Sequence, residues 1–320
     1  MENSDFTSYR SLCCRSKLHL TEHSDECNGQ LCCSKCGNLY VIVNSIPRFV
    51  SSDNYAHSFG YQWNIHRKTQ LDSFTGLNIS KDRLTAGTQW PDDLRNQRIL
   101  EAGSGAGRFT EVLLATGADV FSFDYSLAVE ANFLNNGHSK NLHLFQGDIY
   151  NMPFVEGTFD KVICFGVIQH TPDPAQTFLS LAKQVRPGGE LVIDVYRHDI
   201  WACLQWKYLL RPFTKRADKK KLYKLISRLV PLMLPVARIL RKLAGRVGAR
   251  LSPIVEYSHL GLSPAVNRDW AVLDTFDMYS PEYDLPQTLA TVKDWFEKAE
   301  FVDVVVKNGF NGVVGKGRKT

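Results

Sequence analysis

A chain of 320 residues, 44% hydrophobic and 22% charged, has material for one large domain or two modest ones. Its 22 Gly, 13 Pro and 11% aromatics exclude collagen, coiled coil and wholesale disorder. The net charge of +5 hides an asymmetry: Gln205 to Arg250 carries 14 Lys/Arg against one acid, Asp218, and the remainder is net −8. The opening MENSDFTSYR lacks the basic stretch and apolar run of a secretory signal. The most apolar later stretch, Leu229 to Ala237, holds two prolines in nine residues, short of the ~20 apolar residues needed to cross a bilayer. These features predict a soluble, cytoplasmic protein.

Five regions follow in chain order. Residues 1–50 hold six of the eight cysteines and end in LYVIVNSIPRFV, a short strand stopped by Pro47. Residues 51–95, polar and aromatic, read as a helical connector. Residues 96–196 alternate short apolar runs (RILEAG, DVFSFD, LHLFQGD, DKVICFG, GELVIDVY) with helical patterns. That rhythm predicts repeated β-α units and an α/β, doubly wound, mostly parallel sheet. Residues 197–285 interrupt it with the basic segment, a helical insertion. Residues 286–320 restore it with one helix and two strands that complete the sheet.

Ile99 to Thr110, ILEAGSGAGRFT, is a strand running into Gly103, Gly105 and Gly107 and then a helix. Glycines let the backbone approach a ligand closely, and the helix start offers free N–H groups. The third glycine comes one residue earlier than in the dinucleotide fingerprint G-x-G-x-x-G. Glu101 adds a carboxylate just before the turn, which suits a ligand with cationic ends and no pyrophosphate. Asp124 ends the next strand, 23 residues on, where a carboxylate reaches ribose hydroxyls. Asp148 ends the third strand, FDKVICFGVIQHTPDP forms the fourth, and VRPGGELVID leads into the fifth.

These five stretches, in this order, resemble the class I S-adenosylmethionine-dependent methyltransferases, in the type 11 branch that includes ubiquinone and menaquinone methyltransferases. The resemblance implies a seven-stranded sheet with S-adenosylmethionine as cofactor. It assigns Glu101 to the methionine amino group and Gly103, Gly105 and Gly107 to the loop beneath methionine and ribose. Asp124 takes the ribose hydroxyls, Tyr125 the adenine face, Asp148 and Ile149 the adenine edge, and Phe165 and Gly166 the floor beside the sulfonium. The protein then supplies positioning and, for hydroxyl or amine acceptors, a base. His170, past the fourth strand, has the titration range for that base, or else it orders the loop. Tyr196 and His198 are the next candidates.

Cys33-Ser-Lys-Cys36-Gly37 is similar to the second knuckle of a small zinc ribbon found ahead of many methyltransferases, and implies structural zinc with four ligands. The first knuckle is broken: Cys13-Cys14-Arg15-Ser16 puts Ser16 where the partner cysteine belongs. Cys13 and Cys27 are taken with Cys33 and Cys36 as the ligand set. Cys14, Cys32, His19 and His23 remain alternatives, as does a ribbon without metal. Cys164 and Cys203 read as buried small hydrophobes.

In the basic segment, apolar residues from Leu222 to Val247 recur at helical spacing with Lys and Arg between them. Pro231 and Pro235 are expected to break it into at least two helices. Basic amphipathic helices lie on anionic membranes or cap a pocket, so peripheral contact with an anionic membrane through 205–250 is expected. Nucleic acid is disfavoured, because no aromatics are interleaved for base stacking. Trp270, Phe276, Tyr279 and Tyr283 read either as acceptor-pocket lining or as core. The chain is therefore expected to methylate a small-molecule, sugar or lipid-linked acceptor. The alternatives are an RNA-modifying methyltransferase and a non-catalytic cofactor-binding partner.

Overall fold

The computed structural model describes residues 6–23, 27–51, 54–198 and 206–320. Two sheets organise the described residues. The larger uses β5 (Arg98–Ala102), β6 (Asp119–Asp124), β7 (Leu142–Gln146), β8 (Phe159–Phe165), β9 (Val185–Val195), β10 (Phe301–Asn308) and β11 (Val313–Lys319) in the order β10-β11-β9-β8-β5-β6-β7. β5 through β9 pair in parallel, and β11 runs antiparallel to both β9 and β10. The central strands are near-continuous hydrophobic runs because helices cover both faces. Ile99, Leu100, Val120, Val162, Leu191 and Ile193 are fully buried. This is a doubly wound, mostly parallel Rossmann-like sheet, with the strand order reversing at β5, where open α/β sheets bind ligands.

The smaller sheet is antiparallel: β1 (Leu18–His23), β2 (Gly29–Cys33), β3 (Leu39–Val43) and β4 (Ile46–Pro47). Its apolar face shares one core with the large sheet. Tyr9 packs its ring against Phe49, Phe145 and Phe154 at centroid distances of 5.4–5.5 Å, and Leu31 and Ile42 belong to the same cluster. Ahead of β5 come α1 (His57–Ile65), α2 (Asp72–Thr75) and α3 (Ile79–Thr88). Between the strands lie α4 (Arg108–Ala115), α5 (Ala128–Asn136) and α6 (Pro174–Gln184).

The insertion after β9 holds α7 (Trp206–Thr214), α8 (Lys219–Leu251) and α9 (Pro264–Tyr279); α10 (Leu289–Lys298) then leads back into the sheet. Asp218 caps α8 by accepting from the Lys221 N–H at 2.8 Å. The expected break at Pro231 and Pro235 does not occur there. Helical backbone continues through both prolines, and the interruption falls at Ala244 and Gly245, where Gly245 has φ 54° and ψ −130°. Pro235 is exposed and Pro231 half-exposed, so water can serve the carbonyls they orphan. The conformation at Gly245, by contrast, needs a residue without Cβ. One face of α8 (Leu222, Ile226, Val230, Leu234, Ala237) packs on Ala271, Val272 and Phe276 of α9. A second apolar row (Leu225, Leu229, Leu232, Val236, Ile239, Leu243, Val247) points to solvent, with Leu232 74% and Leu243 79% exposed.

Candidate functional site

The strand-to-helix turn after β5 places Gly103, Gly105 and Gly107 at φ +79°, +52° and +88°. A Cβ on Gly103 would meet Val167 at 2.3 Å, and one on Gly105 would meet the Trp63 ring at 3.1 Å. The turn is anchored by the neighbouring strand. The N–H groups of Gly103 and Ser104 donate to the Phe123 carbonyl at 2.8 and 2.9 Å, and the Gly105 N–H donates to Asp124 Oδ2 at 3.0 Å. Asp124 Oδ1 accepts from the Ser126 N–H and hydroxyl at 2.9 and 2.7 Å. Burial raises its carboxyl above the usual range.

A cavity of about 740 Å³ opens over this edge. Gly103, Gly105, Asp124, Tyr125, Asp148, Ile149, Phe165, Gly166 and His170 all line it, so sequence-distant candidates converge on one space. Glu101 and Gly107 are not among the lining residues. Gly107 packs against the Asn132 and Asn136 side chains. Glu101 lies behind the loop, 2% exposed. Its Oε2 accepts from Thr110 at 2.5 Å and Ser122 at 2.7 Å, Oε1 has no partner, and burial pushes its pKa up to about 7.

His170 is buried between Phe59 and Tyr196, with ring centroids at 5.2 and 5.3 Å. Its Nδ1 lies 2.9 Å from the Tyr283 carbonyl, which requires Nδ1 to carry the proton, and Nε2 has no partner. Tyr196 also lines the cavity; its hydroxyl donates to Asp277 at 3.2 Å. His198 is not a lining residue; its N–H donates to the Gln287 carbonyl at 2.8 Å.

The far half of the cavity comes from the insertion: Tyr257, Trp270, Asp274 and Asp277, with Arg241 and Arg250 of α8. Asp274 accepts from the Tyr257 hydroxyl, from Trp270 Nε1 at 3.0 Å and from Gln70 at 3.0 Å; burial pushes its pKa up to about 6. Arg108, at the start of α4, stacks over Trp270 at 5.6 Å and donates to Gln70 at 2.6 Å. Sequence reasoning missed Tyr257, Asp274 and Asp277. Of the aromatic set, Trp270 lines the cavity, Phe276 and Tyr279 are core, and Tyr283 contributes its carbonyl to His170.

The cysteines assemble differently from expectation. The Sγ atoms of Cys14, Cys33 and Cys36 lie within 4.8 Å of one another. Cys14 takes the place assigned to Cys13, which is exposed because a four-residue turn brings its first and fourth positions, 11 and 14, to one side. Cys27 is exposed on the loop before β2 and is not in the cluster. Cys32 faces away from Cys33 because side chains alternate along β2, and His19 lies opposite Cys32 on β1. Cys164 is buried as expected; Cys203 and the His23 side chain lie outside the described residues.

Residues 100–193 match a family profile described as a methyltransferase domain. The chain is 28% identical over 127 residues to a demethylmenaquinone methyltransferase of Paenarthrobacter aurescens, covering 38% of this chain and 49% of that protein. It is 30% identical over 126 residues to a ubiquinone biosynthesis O-methyltransferase of Aromatoleum aromaticum, covering 37% and 53%. A third relative, a tRNA U34 carboxymethyltransferase of Nautilia profundicola, is 27% identical over 129 residues, covering 39% and 40%. The chain thus spans about half, or less, of the length of the curated relatives it matches.

Proposed function

We propose that this chain, whose residues 100–193 form a methyltransferase domain, transfers a methyl group from S-adenosylmethionine to a small-molecule, sugar or lipid-linked acceptor held beneath the α8–α9 cap. The observation that carries this reading is the continuity of the cavity, from Gly105 and Asp124 to His170, Tyr257 and Asp274. The residues fit the cofactor. The glycine backbone leaves room at the sheet edge and half-buried Asp124 presents its carboxylate to the cavity, while Glu101 stays behind the loop, outside the lining. Bound S-adenosylmethionine supplies an activated methyl on a sulfonium. Asp124 holds the ribose hydroxyls, Tyr125, Asp148 and Ile149 border the adenine, and Phe165 forms the floor. With Nδ1 protonated, His170 offers the Nε2 lone pair to an acceptor hydroxyl or amine. Calorimetry with S-adenosylmethionine, then methyl-transfer assays against quinones, envelope glycans and tRNA, tests the reading. Binding without transfer to any of them favours a non-catalytic partner protein. Transfer to tRNA favours the RNA acceptor that the third relative's name raises.

The solvent-facing row of α8 favours an anionic bilayer as the surface on which a lipid-linked acceptor is met. After Asp218 no acid occurs on α8, while Lys220, Lys221, Lys224, Arg228, Lys242 and Arg250 are exposed. Apolar residues flanked only by cations match anionic headgroups, and the same charges would repel a second copy of the helix. Among the described residues no helix is long and apolar enough to cross a membrane, so the contact is peripheral. At the N-terminal sheet, Cys14, Cys33 and Cys36 are three thiol donors of the kind zinc takes in structural sites, and zinc there would tie the turn before β1 to the turn after β2.

A further inference from the structure

The two turns that bring the thiols together share one backbone plan. In the second, the Gly37 N–H donates to the Cys33 carbonyl at 3.0 Å, and Gly37 has φ 70°. In the first, the Arg15 N–H donates to the Ser11 carbonyl at 3.0 Å, and Arg15 has φ 59°. Aligned on these turns, Cys14 is the counterpart of Cys36 and Ser11 that of Cys33. The first knuckle is therefore Ser11-Leu12-Cys13-Cys14, two residues earlier than its adjacent cysteines imply.

We infer that Ser11 is the fourth ligand of a tetrahedral metal site with Cys14, Cys33 and Cys36. This rests on the zinc reading above and goes beyond it by naming the oxygen donor. Ser11 is fully buried. Its Oγ lies 3.5 Å from Cys36 Sγ, and Cys14 Sγ lies 3.4 Å from Cys33 Sγ, so each donor of one knuckle faces a donor of the other. With Zn–S near 2.3 Å and Zn–O near 2.0 Å, tetrahedral angles separate an oxygen from a sulfur by about 3.5 Å and two sulfurs by about 3.8 Å. The hydroxyl is also held in place. Tyr40 Oη accepts from the Leu12 N–H at 2.9 Å, which leaves its own proton free to be donated to Ser11 Oγ at 3.2 Å. A hydrogen bond of that kind orients a metal ligand and stabilises its charge. A site with three thiolates and one hydroxyl binds zinc less tightly than four thiolates, because the hydroxyl is the weaker and less acidic donor.

The test uses the whole 320-residue chain, reduced, stripped of metal and titrated with Co²⁺ and Zn²⁺. The wild type is expected to take one Co²⁺ with the thiolate charge-transfer intensity of three sulfurs. Ser11→Cys should raise that intensity by about a third and tighten binding about tenfold or more. Ser11→Ala should weaken it about tenfold, the range typical of disturbed metal shells, while keeping three thiolates. A Cys13→Ser, Cys27→Ser double variant should bind as the wild type does. Wild-type affinity and ligand-field bands in Ser11→Ala, or only three thiolates in Ser11→Cys, would overturn the assignment of Ser11 while leaving a metal site in place. A wild type that takes neither metal would remove the zinc reading itself. Ser11→Cys is the conservative change that keeps the test valid if Ser11→Ala fails to fold.

Discussion

His170 shows how a residue can be legible as a type yet not as a role. Its place after the fourth strand was readable from GVIQHTPDP, but whether it catalyses or braces the loop depends on which nitrogen is held. The Tyr283 carbonyl that fixes Nδ1 lies 113 positions away. With Nε2 the free base, His170→Gln is expected to lower kcat by about 10²- to 10⁴-fold for a hydroxyl or amine acceptor. Cofactor affinity should stay unchanged. Loss of stability with kcat intact would make the ring a spacer between Phe59 and Tyr196. Glu101 makes a second prediction. Burial raises its folded pKa to about 7, so the folded state holds a proton that the unfolded chain has released. That stabilisation is complete below the ordinary carboxylate range and is lost as pH rises through about 7. Thermal melts of the cofactor-free protein from pH 5 to 8 should therefore fall more steeply for wild type than for Glu101→Gln. Parallel curves would mean that Glu101 stays ionised throughout.

At the scale of elements, the strands were readable because each central one is an apolar run ending at Gly or Asp, and the helices between them are amphipathic. The insertion was less readable. Its apolar residues form one helical pattern in sequence, whereas the structure divides them between a face packed on α9 and a face left to solvent. Only the packing of α9 separates the two. The prolines misled for a related reason: near solvent, the helix tolerates the bonds they remove. If the outer row of α8 meets an anionic bilayer, the protein should sediment with phosphatidylglycerol-containing vesicles at low salt and not with pure phosphatidylcholine. Lys219 is a poor probe, since its Nζ donates to the Lys215 and Ser280 carbonyls at 2.6 and 2.8 Å. Replacing Lys220, Lys221 and Lys224 with Gln should remove about 1 kcal/mol of binding per charge, less at higher salt. Equal sedimentation of wild type and triple variant, or dimerisation through α8 without lipid binding, would defeat the membrane reading.

Across the whole molecule, the fold is one continuous construction. The cysteine-rich sheet shares its core with β6 and β7 through Tyr9, Phe49 and Phe145, and the insertion roofs the cavity that the parallel sheet opens. The sheet-edge half of the cavity was legible because its residues sit at fixed places on the strand ends of β5, β6, β7 and β8. The half beneath α9 was not. Asp274 and Tyr257 gain meaning only when α9 folds back over Gln70 and Arg108, and no spacing in the chain announces that return. Ser11 escaped notice because two adjacent cysteines draw attention to the wrong register.

The claim that the sheet edge binds S-adenosylmethionine through Asp124 is tested most directly by calorimetric titration of wild type and Asp124→Ala. Micromolar affinity in the wild type, weakened by about 1.5–3 kcal/mol when hydrogen bonds to a charged group are lost, is the predicted result. Equal affinity in the two proteins, or no binding by the wild type, would contradict it.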